Sequence, residues 1–235
     1  MNIKVIKAPD SDKPFAIIDK PSGLPSAPLT LDDTNNAFYE AAKLFPELLD
    51  VKGKKEIEHG LLHRLDTATS GLMIIAANQE CYDFLQNEQQ AGKIIKYYRA
   101  QCNVLSITNK NEIEIESYFR PFGPGRKEVR PVTQDSGKAA LQKLGKKVLY
   151  KTCVKILSYD EEKKIAEIEC KILNGYRHQV RCHLAWIGLP VVNDKIYNPL
   201  VKKENAEPMR FCACKLEFEY PRGDLNSYDR KDTWT

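Results

Sequence analysis

Two short segments gather the side chains that could do chemistry. The first runs His63-Arg64-Leu65-Asp66-Thr67-Ala68-Thr69-Ser70-Gly71-Leu72, with a cation and a carboxylate two residues apart just ahead of an apolar stretch, Leu72 to Ala77. Polar loops anchored by a rigid strand are where catalytic side chains are commonly held. The same residues also make an ordinary exposed ion pair before a Ser-Gly turn, and such pairs are common and usually inert. On residue types alone, that plainer account has the advantage. The second segment, Leu173 to Ala185, sets Arg177, His178, Gln179 and Arg181 at the entry to a helix behind Gly175. A helix N-terminus with arginines favours an anion, either a phosphate or a carboxylate from elsewhere in the chain. A charged helix start that merely faces water is again the commoner outcome.

A metal centre would have to draw on His178, Cys182 and His183, or on Cys212 with Cys214. His178 and Cys182 share a helical face at four-residue spacing, yet no CxxC or HExxH pattern occurs and the two groups lack a structural-zinc spacing. Small buried thiols account better for these cysteines. The seven cysteines (81, 102, 153, 170, 182, 212, 214) are odd in number, lack a disulfide-framework spacing and stand in a chain with no export signal, which points to reduced thiols.

The 235 residues suffice for one large core or two small ones. A hydrophobic share of 42% and a charged share of 29% exclude wholesale disorder. The net charge of +4 permits a polyanionic partner without requiring one. No apolar run approaches a membrane span, and the first residues lack the apolar core of a signal peptide, so a cytoplasmic location is expected.

The elements that must hold the reactive segments can be read from patterning. Phe15 to Lys20 reads as a strand broken by Pro21, and Leu72 to Ala77 as a strand buried on both faces. Helices are expected over Asn35–Leu49, Cys81–Gln90 and His178–Ile187, and strands over Ile94–Leu105, from Glu112, and over Arg210–Tyr220. Val148–Ser158 and Lys164–Leu173 read as a hairpin whose second strand places Ala166, Ile168, Cys170 and Ile172 on one face. Arg120 to Lys138, rich in Pro, Gly and cations, reads as a long loop. The expected fold is α+β: a mixed, mostly antiparallel sheet with flanking helices and loops around a central basic cleft. No repeat or linker divides the chain, so a single domain is expected over 1–221, followed by a loosely ordered tail over 222–235.

Four segments, taken in order, carry more than any one of them. Asp19-Lys-Pro-Ser-Gly-Leu-Pro25, His63-Arg-Leu-Asp-x-x-Thr-Ser-Gly-Leu72, Lys96-Tyr-Tyr-Arg-Ala100 and Gly175-x-x-His-Gln-Val-Arg-x-His-Leu-Ala185 together resemble the RluA-type family of pseudouridine synthases, over about Phe15 to Pro221. No S4-like module precedes the first motif, so the chain looks like a catalytic domain by itself. The resemblance implies an isomerase that breaks the C1′–N1 bond of a uridine, turns the base and rejoins it through C5, without metal, nucleotide or other cofactor. It implies Asp66 as the catalytic carboxylate, Tyr98 as an aromatic against the uracil ring, and Arg181 as the partner that keeps Asp66 ionised. Arg64 would fill the space left by an extruded uridine, Val180 would line the apolar pocket, and His63 and Gln179 would complete the substrate contacts. The family has Gly-Arg and a small residue before His-Gln, whereas this chain has Gly175-Tyr176-Arg177.

The implied partner is structured RNA, ribosomal or transfer, with no membrane and with the protein acting as a monomer. Arg120, Arg126, Lys127 and Arg130 form the candidate RNA-contacting loop, a solvated insertion being the alternative. Lys52-Gly-Lys-Lys55, Lys146-Lys147 and Lys202-Lys203 are weaker cationic groups, and Arg222-Gly-Asp is a chance match. A catalytically inactive RNA-binding protein of the same fold is the rival reading, and the Gly175-Tyr176-Arg177 departure is what sustains it.

Overall fold

The computed structural model describes residues 2–106, 110–145, 147–202, 204–221 and 223–230. Lys146, Lys203 and Arg222 lie outside the described residues, as does the end of the tail from 231. The strands are β1 (Lys4–Lys7), β2 (Phe15–Lys20), β3 (Ser70–Ala76), β4 (Ile95–Asn103), β5 (Glu112–Phe122), β6 (Glu128–Val132), β7 (Tyr150–Asp160), β8 (Ile165–Ile172), β9 (Phe211–Tyr220) and β10 (Asp224–Asp229). The α-helices are α1 (Ala37–Ala42), α2 (Gln79–Gln90), α3 (Lys138–Leu141) and α4 (Gln179–Trp186). The class is α+β, with mixed and mostly antiparallel strand pairing, as expected.

Two compact units divide the chain, one of residues 1–96 with 212–235 and the other of 97–211. No linker marks the division because the chain passes from one unit to the other inside β4 and inside β9.

In the first unit β1, β2 and β3 pair antiparallel, from Phe15 opposite Ala76 to Lys20 opposite Gly71. β3 then runs parallel to β9, with Ser70 opposite Cys212, and β10 pairs antiparallel with β9. β10 is a correction to the expected loose tail: it forms a ladder along β9 from Asp224 to Asp229. β2 and β3 are almost wholly buried, which is why their sequences run apolar without alternation. Their side chains pack with Val51, Leu62, Leu85, Ile94 and Phe218 into one core. α2 begins at Asn78, whose side chain accepts the Cys81 N–H. The helix expected over Asn35–Leu49 is only α1. Pro46 cannot continue it and instead opens a 3-10 turn, Pro46–Asp50.

In the second unit the strand order is β4-β8-β7-β5-β6. β7 and β8 form the expected hairpin, and Ala166, Ile168, Cys170 and Ile172 are all buried. The stretch from Arg120 is not a long loop. β5 continues through Phe122, turns over Gly123–Lys127 and returns as β6, with Arg120 opposite Arg130. Proline misleads here for a physical reason. Pairing of β5 with β7 stops at Ser117, and β6 is last in the order, so Pro121 and Pro131 stand where a missing N–H breaks no central ladder.

His183 of α4 is fully buried, with its ring nitrogens 2.9 Å from the hydroxyls of Ser117 and Thr152. Burial pushes its pKa down to about 4. The unfolded chain protonates this imidazole near pH 6.5 while the folded chain refuses the proton. The stability it contributes is therefore complete above pH 6.5 and is lost as the pH falls toward 4. Thermal melts at pH 7 and 4.5 should show a clear drop for the native protein and a smaller drop for His183→Gln.

Candidate active site

Asp66 belongs to the first unit and sits on a turn gripped from one side by residues 20–26. The carbonyls from Leu65 to Ala68 are each engaged: Leu65 by the Ser26 hydroxyl, Asp66 by the Thr69 N–H, Thr67 by the Gly23 N–H, and Ala68 by the Ser22 hydroxyl. The Ser26 hydroxyl also accepts the Leu65 N–H. This accounts for the Asp19–Pro25 motif: its Ser22 and Gly23, with Ser26 just beyond it, fasten the turn that carries Asp66. The glycine of Thr69-Ser70-Gly71 has its own cause. Gly71 adopts φ +123°, and a Cβ there would lie 2.2 Å from the Ala213 carbonyl oxygen of β9.

Lys20 ends β2 and is fully buried. Its ammonium donates to the carbonyls of Leu24 at 2.7 Å, Pro21 at 3.0 Å and Thr67 at 3.2 Å. Burial lowers its pKa to about 8, while the nearby charges of Asp66 and Asp19 pull it back up. Sequence reading placed Lys20 in a motif without giving it a role. Its pattern, a lysine closing a buried strand before Pro21, was the available signal.

His63 and Arg64 precede the turn and face different surroundings. His63 is half-buried and its Nε2 accepts the Ile74 N–H at 3.4 Å. Burial, and then the Lys96 ammonium, hold its pKa well below the usual imidazole value. Lys96 is itself buried and donates to Gln89 Oε1 at 2.9 Å, while Gln89 donates to the Leu62 carbonyl. Arg64 is exposed and pairs with Glu58 at 3.2 Å, an arrangement that a competing anion can readily exchange.

The second unit carries the other expected site residues. Tyr98 is buried in β4 and its ring lies parallel to Phe211, centroids 5.2 Å apart. Val180 and Arg181 are buried at the start of α4. Gln179 turns inward: its amide donates to the Lys151 carbonyl and the Thr152 hydroxyl, and its oxygen accepts the Tyr176 N–H. Arg181 is held by Asp194, with Nε and Nη2 each 2.8 Å from a carboxylate oxygen. Asp194 is fully buried and its Oδ1 also accepts the N–H groups of Ile196 and Tyr197. Nothing in the sequence marked Asp194, a lone acid in the Asn193-Asp194-Lys195 turn.

The Gly175-Tyr176-Arg177 departure has a structural account. The Tyr176 ring stacks on Phe119 at 5.1 Å, and Arg177 reaches the β5–β6 hairpin, where Nη2 donates to the carbonyls of Arg126 and Glu128. The Tyr197 hydroxyl accepts the Val129 N–H from the same hairpin and stands 2.9 Å from His178 Nδ1. The hairpin is thus fastened rather than adaptable. On it, Arg120 and Arg130 both lie over the Phe122 ring, Arg130 at 3.4 Å, while Arg126 and Lys127 occupy the exposed turn.

The residues weighed for a metal have other partners. Cys182 donates to the Val129 carbonyl, His178 meets Tyr197, and Cys212 and Cys214 are buried in β9. Six of the seven cysteines are buried, Cys153 being half-buried.

Lys96 offers a test of this electrostatic picture. A buried ammonium whose hydrogen-bond partner among the described residues is the neutral Gln89 amide costs stability, so Lys96→Met should stabilise the protein at pH 7, on the order of 2 kcal/mol. Burial lowers the folded pKa to about 8, below that of an unfolded lysine, so the penalty fades as the pH rises from 8 to 10.5. The difference in denaturant midpoint between Lys96→Met and the native chain should therefore shrink across that window.

Comparison with known proteins places this arrangement. The chain is 30% identical over 201 residues to the tRNA pseudouridine(31) synthase of Saccharomyces cerevisiae, covering 79% of this chain and 45% of that protein. It is 27% identical over 214 residues to the dual-specificity RNA pseudouridine synthase RluA of Vibrio parahaemolyticus, covering 90% and 76%. Against four of its curated relatives the chain spans 37% to 64% of their length. The solved structure of human RNA pseudouridylate synthase domain containing 1 superimposes with a TM-score of 0.72 at 18% identity, covering 98% of this chain and 84% of that one, a likeness of fold. Residues 14–186, which take in the Asp66 turn, β4 and α4, match the RNA pseudouridylate synthase family as a whole, and the chain belongs to that family.

Proposed function

We propose that this protein isomerises uridine to pseudouridine in structured RNA, with Asp66 as its catalytic carboxylate. The observation that carries the reading is the turn at Asp66, whose carbonyls are all engaged so that the carboxylate is presented from a rigid base. Family membership supplies the reaction: the C1′–N1 bond breaks, the base turns, a C1′–C5 bond forms, N1 gains a proton and C5 loses one. Atoms and electrons balance within the substrate. Asp66 attacks the sugar carbon or removes the ribose 2′ hydrogen, and both versions need it ionised.

The family pattern gives Arg181 as the partner that meets that need. Tyr98 packs on the uracil ring beside Val180, and Arg64 leaves Glu58 to fill the gap of the extruded nucleotide. The RNA lies in a basic cleft, and the relative named for transfer RNA supports a transfer RNA target, with ribosomal RNA the other candidate. A monomer acting in the cytoplasm suits the reduced thiols.

Mapping pseudouridine in cellular RNA with and without the gene tests the activity, and loss of no site would sink it. Asp66→Asn should bind RNA normally yet lose turnover roughly a thousandfold or more, as removal of a single catalytic group commonly does. Retained turnover in that variant would instead move the chemistry elsewhere.

The exposed turn of the β5–β6 hairpin contacts phosphates. Arg126→Ala with Lys127→Ala should weaken binding to many RNAs alike and reduce the salt slope by about 1.5 for two lost phosphate contacts. Turnover of bound substrate should be unchanged. Unaltered affinity and slope would make the turn a solvated surface.

A further inference from the structure

We propose that Arg230, just after β10, is a positioning residue for the Asp66 turn, acting through Asp19 and Ser70. The proposal rests on the reading of Asp66 as the reactive carboxylate. Arg230 is largely buried and its Nε donates to Asp19 Oδ2 at 2.8 Å. Its Nη1 donates to the Ser70 hydroxyl at 3.2 Å, and its own N–H is bonded to the Cys214 carbonyl. A single residue thus joins β2 and β3 through its guanidinium and β9 through its backbone N–H.

Charge makes the contact more than a strand clasp. Asp19 is the residue before Lys20, and its Oδ1 is buried without a hydrogen-bond partner among the described residues. Arg230 therefore supplies the directional compensation of a buried carboxylate. Lys20 in turn feels both Asp19 and Asp66, and its ammonium binds the Thr67 carbonyl next to Asp66. Signs alternate along this row: Arg230, Asp19, Lys20, Asp66. Remove the first cation and Asp19 becomes an uncompensated buried anion whose nearest remedy is the Lys20 ammonium. Lys20 is then drawn away from the carbonyls that fix the turn. On the other side, Ser70 loses the donor that holds it one residue from Thr69, whose N–H closes the turn on the Asp66 carbonyl. β10 is pinned for this task. It pairs with β9 along its length, Tyr228 packs against Phe15 and Phe218, and Asn226 accepts from Lys13.

The test uses the full chain with RNA from cells lacking the gene, labelled with tritium at uridine C5. Joining through C5 releases the label to water. Arg230→Gln should lower kcat about tenfold with KM little changed, since the turn and not the RNA surface is disturbed. Amide exchange at Gly23 and Thr69 should quicken by about tenfold, reporting the loosened turn directly. Asp19→Asn combined with Arg230→Gln removes both charges and should restore most of kcat and the slow exchange. A loss of fold stability with no change in kcat or in exchange at those two amides would overturn the proposal, as would a double variant no better than the single one. If the native protein releases no tritium, uridine isomerisation is the reading that fails, and the exchange rates alone then decide the role of Arg230.

Discussion

A buried ammonium cannot be left without acceptors, and the first unit is organised around that requirement at Lys20. The chain meets it with three carbonyl oxygens, those of Pro21, Leu24 and Thr67. Two lie in the segment that follows Lys20, and the third lies beside Asp66, 47 residues on. Folding the Pro21–Ser26 segment back on the turn brings the Ser22 and Ser26 hydroxyls and the Gly23 N–H onto the remaining carbonyls. The order of events is physical: the charge must be solvated by the protein, and solvating it fixes the turn. A neutral residue at position 20 would take the ammonium donor from those three oxygens, the buried Leu24 carbonyl losing most.

The second unit meets the same problem with a different partner. Arg181 is buried at the start of α4, and there the compensation is a full carboxylate rather than carbonyls. Asp194 can serve because its own turn gives its fully buried carboxylate two backbone N–H donors. A planar guanidinium matched edge-on to a carboxylate also loses its freedom to swing, so one face of the side chain is set before any ligand arrives. Lysine at that position would satisfy the charge but not the orientation.

The aromatic and cationic residues around α4 show how a local departure from a family pattern can be absorbed. Tyr176 fills space against Phe119 and Tyr150, and Arg177 uses its guanidinium on main-chain carbonyls of the β5–β6 hairpin. With Tyr197 bonded to Val129 as well, the hairpin is tied down at three of its residues. A fastened hairpin presents its exposed cations at less entropic cost than a loose loop of the same composition.

Sequence alone determined the class of the fold, the buried strands at Phe15–Lys20 and Leu72–Ala77, the β7–β8 hairpin, and the segments on which the reactive residues lie. Those features are local: apolar runs, strict alternation and helical spacing are written in consecutive residues, and a motif records its own spacing. What tertiary structure decided was everything that depends on a distant partner. That Arg120 to Val132 pairs with itself as a hairpin follows from an edge that tolerates proline, and an edge is a property of the sheet. β10 exists because β9 offers it a ladder. Asp194, Lys20 and Arg230 gained their meaning only when the fold buried them, since an isolated Asp, Lys or Arg reads as surface until the chain removes the water around it.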